Sequence, residues 1–122
     1  VGMFPATLMG LDSKKFDNLN NLLKNNSFIS TLIQNVACIY SLSSKNINNS
    51  FILNYDSSFN DLAYWYQQLV GESLGKDGKG INPILSFGPK DHHSLLQLYL
   101  DGPKDKFFTF LTSRKNNKHY KT

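Results

Sequence analysis

The sequence predicts an α/β layered fold built on a short parallel sheet. Apolar residues recur at helical spacing in several stretches, and three short apolar runs rich in β-branched and aromatic residues read as strands. In the second half of the chain these helices and strands alternate, the order that gives parallel sheets covered by helices. With 122 residues, 40% hydrophobic content, nine Phe, six Tyr and one Trp, the chain can fill one modest core, so a single domain or part of one is expected.

Residues 3 to 11 are small and apolar around Pro5, which suits the first turn of a short helix ending near Gly10. Asp12 or Ser13 caps a second helix through Phe16, Leu19, Leu22 and Leu23, closed by Lys24-Asn25-Asn26. Ser27 or Ser30 opens a third, in which Ile29, Leu32, Ile33, Val36 and Tyr40 describe a broad buried stripe. Ser43 to Ser50 is a polar, asparagine-rich loop, and Phe51 to Tyr55 is the first strand. After Asp56-Ser57-Ser58 comes a helix with Phe59, Leu62, Tyr66 and Leu69 toward the core and Asp61, Trp65, Gln68 and Glu72 on another face. Gly75 to Gly80 is a loop that resembles a phosphate-cradling run but follows a helix, not a strand, which weakens a dinucleotide reading. Ile84 to Phe87 is the second strand. Asp91 is well typed as the N-cap of a helix that runs until Asp101-Gly102-Pro103, and Lys106 to Thr112 is the last strand.

Composition narrows the classes of function. No run reaches the length of a membrane span, and Val1-Gly2-Met3-Phe4-Pro5 lacks the basic and apolar regions of a signal segment. A start on valine suggests a cut or processed chain. Cys38 is the only cysteine, so no internal disulfide forms and a reducing cytoplasm is the expected setting. Of the formal charge of +4, residues 103–122 carry +5 and the first 102 residues about −1. The basicity thus belongs to a tail, residues 113–122, which reads as a solvated end, and neither a nucleic-acid nor a membrane partner is expected.

Two polar clusters carry the chemistry. Gln68 and Glu72 are one helical turn apart, just before a glycine-rich loop, and Glu72 is the only glutamate among nine acidic residues. A lone exposed glutamate is ordinarily a solvated surface residue, and a general base is the sharper alternative. In the second cluster, Asp91-His92-His93-Ser94, the histidines fall in the first turn of a helix, where the dipole disfavours imidazolium. A neutral histidine there can shuttle a proton, while a capping contact or a satisfied core histidine are the plain alternatives. Adjacent helical histidines diverge by about 100°, so no metal site is expected.

The stretches WYQQLVGESLGK (65–76), Gly80 to Pro83 and FGPKDHHSLLQLYLDGP (87–103) closely resemble phosphoglucose isomerase, or glucose-6-phosphate isomerase, of the bacterial type. VGMFPATLMGLD looks like the segment following that family's Gly-Arg-Phe-Ser signature. The resemblance spans roughly residues 1–112 and implies part of the second sugar-isomerase (SIS-type) domain, a three-layer Rossmann-like fold. It implies an enzyme of glycolysis and gluconeogenesis that interconverts glucose 6-phosphate and fructose 6-phosphate through a cis-enediol, with no metal or cofactor. By motif, Glu72 matches the family's base, Gln68 an amide that binds substrate or orients the carboxylate, and His93 the histidine that assists ring opening. In this family that histidine comes from the partner subunit of a homodimer. His92 stands where relatives often have Gln or Leu, and the spacing to Ser94 and Gln97 favours His93. The family's phosphate-binding loop, signature arginine and late lysine match nothing in this chain, so the segment alone is expected to be inactive. The rival readings are a non-catalytic sugar-phosphate-binding module and a basic interaction module.

Overall fold

A computed structural model describes residues 3–113. The basic tail expected over 113–122 therefore lies outside the described residues after Ser113, as do the side chains of Phe16 and Leu19 in the expected second stripe. The chain divides into two compact units, Val1–Ser41 and Leu42–Thr122.

In the first unit, α1 (Met3–Leu8) ends as the sequence predicts. Gly10 takes a positive φ of 83°, Gly10 N–H donates to Thr7 O and Leu11 N–H to Ala6 O, each at 3.0 Å. That pairing of bonds closes a helix where a left-handed residue follows it. The single second helix is corrected to α2 (Ser13–Asp17) continued by a 3₁₀ segment, Asn18–Lys24. Asn18, Asn20 and Asn21 explain the change, because asparagine side chains compete for the backbone in a helix interior. Helix α3 (Asn26–Ser43) starts earlier than expected. Its cap is Asn25, whose Oδ1 accepts from Ser27 N–H at 3.0 Å and Phe28 N–H at 3.2 Å. The broad buried stripe is also corrected: α3 has no buried residue, and Leu32, Ile33, Val36 and Tyr40 are exposed. Periodicity identifies a face able to pack; it does not supply the partner.

The second unit holds the sheet. Strands β1 (Asn49–Asn54), β2 (Asn82–Phe87) and β3 (Lys106–Leu111) are all parallel, in the order β2-β1-β3. Helix α4 (Asn60–Leu74) links β1 to β2, and α5 (His92–Asp101) links β2 to β3. The first crossover steps one way from β1 and the second steps back across it. With right-handed connections throughout, the two helices must cover opposite faces.

The side chains agree. Phe51 and Leu53 of β1 pack with Tyr99 of α5, flanked by Ile84, Leu95 and Phe108. On the other face Asn54 donates to Asn60 Oδ1 at 2.8 Å, and Phe87 meets Tyr64 of α4 with ring centroids 5.9 Å apart. A helix, a three-stranded parallel sheet and a second helix make the predicted three layers. Each large apolar side chain buried in such a core contributes about 1.5–3 kcal/mol.

Asparagine earns its frequency at the sheet margins. Asn49, opposite Asn82 and Lys106 in register, accepts from Asn82 Nδ2 and donates to Asp105 Oδ2, both at 2.9 Å. The stretch expected to be loop thus contributes the start of β1 and a side-chain ladder from β2 through β1 to Asp105, the residue before β3.

Candidate functional site at the Gln68–Glu72 turn

The site begins with a cap. Asp56 Oδ1 accepts from Ser58 N–H at 2.9 Å and Ser58 Oγ at 2.7 Å, starting the short 3₁₀ turn Ser57–Phe59 that runs into α4. The face that α4 turns to the sheet matches the expected one at Phe59 and Tyr66 and departs from it at Leu62 and Leu69. Ala63 is buried, with Phe59, Tyr66, Gln67 and Val70 half-buried around it, whereas Leu62 and Leu69 are exposed. Alanine lets the helix approach closely, and Gln67 Nε2 donates to Pro83 O at 2.8 Å, a carbonyl on the edge strand β2. Proline suits that edge because it has no N–H to pair.

The outward face carries Asp61, Trp65, Gln68 and Glu72, all exposed as predicted. Gln68 Nε2 donates to Glu72 Oε1 at 3.0 Å. One carboxylate oxygen is thereby oriented by an amide one turn away, while the side chain stays accessible for proton transfer. Behind it α4 ends at Gly75, whose N–H donates to Gly71 O at 3.3 Å. Lys76-Asp77-Gly78-Lys79 follows as a tight reversal: Asp77 and Gly78 have φ of 54° and 69°, and Lys79 N–H donates to Lys76 O at 2.9 Å. Two positive φ values in an Asp-Gly pair are the signature of a type I′ turn. The glycine-rich run is therefore a hairpin closing the site's flank.

The second cluster is assembled differently from the expectation for Asp91. Asp91 has helical angles, φ −74° and ψ −15°, and makes no side-chain cap. Its Oδ2 instead accepts from Phe87 N–H at 2.7 Å, so the end of β2 has taken the carboxylate that the helix would have used. His92 and His93 do occupy the first turn of α5. His92 is half-buried and shares a hydrogen bond of 2.9 Å with Tyr55 Oη through Nε2, the satisfied role that was one of the sequence alternatives. His93 is exposed.

Gln68 and Glu72 are thus brought together, and His93 is not brought to them. Glu72 lies near the end of α4, by the N-terminal edge of the sheet, and His93 lies at the start of α5, by its C-terminal edge on the other face. A six-residue strand is about 20 Å long, so one copy of this unit cannot bring both side chains to one substrate.

Two hollows went unnoticed in the sequence. A polar cleft of about 360 Å³ lies beyond the ends of β1 and β3, lined by Tyr55, Asp56, Ser57, Thr112 and Ser113. An apolar groove of about 180 Å³ runs between α5 and β3 past His92, Leu96 and Phe110. Strand order is the signal that would have found the first, since it sits at the C-terminal ends of β1 and β3, neighbours that no single crossover joins. Among the described residues no three His, Cys, Asp or Glu side chains converge as metal ligands, and no helix is long and apolar enough to cross a membrane.

No protein-family model matches the chain. Among curated proteins it is 40% identical to the glucose-6-phosphate isomerase of Methanocaldococcus jannaschii, over 94% of this chain and 30% of that protein. The chain is homologous to glucose-6-phosphate isomerases. It is also 33% identical to the probable glucose-6-phosphate isomerase of Methanococcus maripaludis, over 94% of this chain and 27% of that protein. A shorter match, 45% identity over 55% of the chain and 18% of the relative, is to the glucose-6-phosphate isomerase of Campylobacter jejuni. Among solved structures, hypothetical protein TT0462 from Thermus thermophilus matches at 32% identity, with a TM-score of 0.48 over 52% of this chain and 17% of that one. The chain spans less than a third of the length of these relatives.

Proposed function

We propose that this segment supplies the proton-transfer residues of a glucose-6-phosphate isomerase, an aldose–ketose isomerase of glycolysis and gluconeogenesis in the cytoplasm. The observation that carries the reading is the Gln68–Glu72 hydrogen bond on the exposed face of α4, in a chain homologous to those isomerases along nearly its whole length. In the open-chain aldose, the Glu72 carboxylate takes the proton from C2. The carbonyl oxygen at C1 takes a proton from solvent, giving a cis-enediol, and Glu72 returns its proton to C1 as the C2 hydroxyl releases its own proton to solvent and becomes a carbonyl. A carboxylate suits both halves because it takes and returns the proton on one face of the intermediate. Gln68 holds the carboxylate by Oε1 and binds or orients the substrate beside it.

His93 assists opening of the sugar ring from the other subunit of a homodimer. The placement of Glu72 and His93 at opposite edges and on opposite faces of the sheet supports that division, since each site then draws its base from one chain and its histidine from the next. The 122-residue segment alone is expected to be inactive, and groups holding the substrate phosphate come from the rest of the enzyme.

The test is turnover of glucose 6-phosphate by the full-length protein carrying Glu72→Gln, with circular dichroism as the folding control. General base catalysis contributes about 10²–10⁴, so a loss near a thousandfold with the fold intact is expected. Near-normal turnover would remove Glu72 from the base role and favour a module that binds sugar phosphate without converting it.

A further inference from the structure

We infer that Tyr55 and His92 form a positioning pair that fixes the direction in which His93 leaves α5; the inference rests on the ring-opening role proposed for His93. Tyr55 follows β1 directly and is held on several sides. Its backbone N–H donates to Leu111 O at 3.0 Å. Its ring stacks on Phe110, with centroids 6.2 Å apart and planes at 17°. A Cβ built on Gly88 would come within 2.6 Å of the Tyr55 ring, so the chain leaving β2 runs close against the phenol and only glycine fits there.

From this held position Tyr55 reaches the first residue of α5. The His92 ring meets it edge-on, with centroids 5.4 Å apart and planes at 75°, and Nε2 shares a hydrogen bond of 2.9 Å with Oη. The Asp91 carboxylate ties the preceding residue to Phe87 N–H at 2.7 Å. Consecutive helical residues are about 100° apart around the axis. Holding His92 against Tyr55 therefore sets the rotation of the first turn and turns His93 toward solvent, where it is exposed. A histidine that must serve a substrate held largely by another subunit gains most from a fixed exit direction, because misplacement of a reacting group by a fraction of its hydrogen-bond length lowers the rate steeply.

The test uses the full-length protein and two readouts: isomerisation kinetics, and exchange between the α and β anomers of glucose 6-phosphate, followed by NMR in a Glu72→Gln background. Anomer exchange needs ring opening but no proton transfer between carbons. Tyr55→Phe keeps the ring stack and deletes the hydroxyl. Loss of one such bond predicts a fall of about 5–10-fold in kcat and in anomer exchange, with KM within about twofold. His92→Phe should fall equally, and His92→Gln, whose amide can still meet the Tyr55 hydroxyl, should recover most of the loss. Unchanged rates in Tyr55→Phe and His92→Phe, beside slowed exchange in His93→Gln, would overturn the pair and leave the role of His93 standing. A raised KM with kcat unchanged would overturn it too. Unchanged exchange in His93→Gln would remove that role and the inference with it.

Discussion

The buried hydroxyl pair between α5 and β2 permits a worked prediction. Tyr99 is 8% exposed, and its ring meets Phe51 and Phe108 edge-on with centroids 5.1 and 5.4 Å away. Its Oη donates at 2.9 Å to Ser86 Oγ, a residue with no exposure at all. Tyr99→Phe leaves every ring contact in place and strands the serine hydroxyl out of reach of water. An unsatisfied buried hydroxyl costs about 1–3 kcal/mol. Ser86→Ala strands the phenol in the same way, at a similar cost. The double variant removes both polar groups, so its loss should be well below the sum of the two singles, with a coupling energy of about 1–2 kcal/mol. In a unit of this size each kcal/mol lowers the melting temperature by about 4–8 °C. Thermal unfolding of the parent, both singles and the double, followed by circular dichroism, closes the cycle. Strictly additive losses would refute the reasoning, because they would mean that the two hydroxyls do not depend on each other.

Other outcomes follow from the margins of the sheet. The hydrogen bond from Lys106 holds the Asp105 carboxyl below the usual carboxylate range, aided by the bond from Asn49 and opposed by partial burial. Because the folded pKa is depressed, its stabilisation is present above the ordinary value near about 3.9 and is lost as pH falls through the lowered one. Melting temperatures scanned downward from pH 6 should therefore drop less steeply below pH 4 in Asp105→Asn than in the parent; parallel curves would contradict the assignment. Gly80 has φ of 127°, and a Cβ there would lie 2.6 Å from Leu74 O, a backbone atom that cannot swing away. Gly80→Ala should cost about 1–3 kcal/mol, readable as a lower melting temperature, and an unchanged transition would show that the hairpin after α4 shifts freely.

Much of this arrangement could be read from the residues, and the failures share a cause. The three apolar runs became the three parallel strands, and the Gln68–Glu72 turn lies exposed where the 3.6-residue period places it. On α4, however, ranking by hydrophobicity pointed to Leu62 and Leu69, while the sheet took Ala63 and Gln67. What decided was close approach and an edge carbonyl in need of a donor, and neither is visible until the neighbouring strand is known. Asp91 was legible as a cap by residue type, but Phe87 N–H, four residues back, competed for the same carboxylate. Tyr55 read simply as a strand residue, because its partners His92 and Phe110 are 37 and 55 positions away along the chain. Pairing of Glu72 with His93 was suggested by family likeness alone, and the topology shows why periodicity could not yield it: the two lie on helices separated by the sheet.

The central place of β1 matters during synthesis. Asn49 pairs with Asn82 and Lys106, so the middle strand is made 33 residues before one neighbour and 57 before the other. At about 5–20 residues per second, ribosomes leave Phe51, Ile52 and Leu53 without either flank for roughly 2–7 seconds. During that interval the nascent chain exposes an apolar strand with two open edges, the form most prone to pair with another copy. Asn48, Asn49 and Asn54 bracket it with polar side chains, which act as gatekeepers against such pairing until the sheet closes around it.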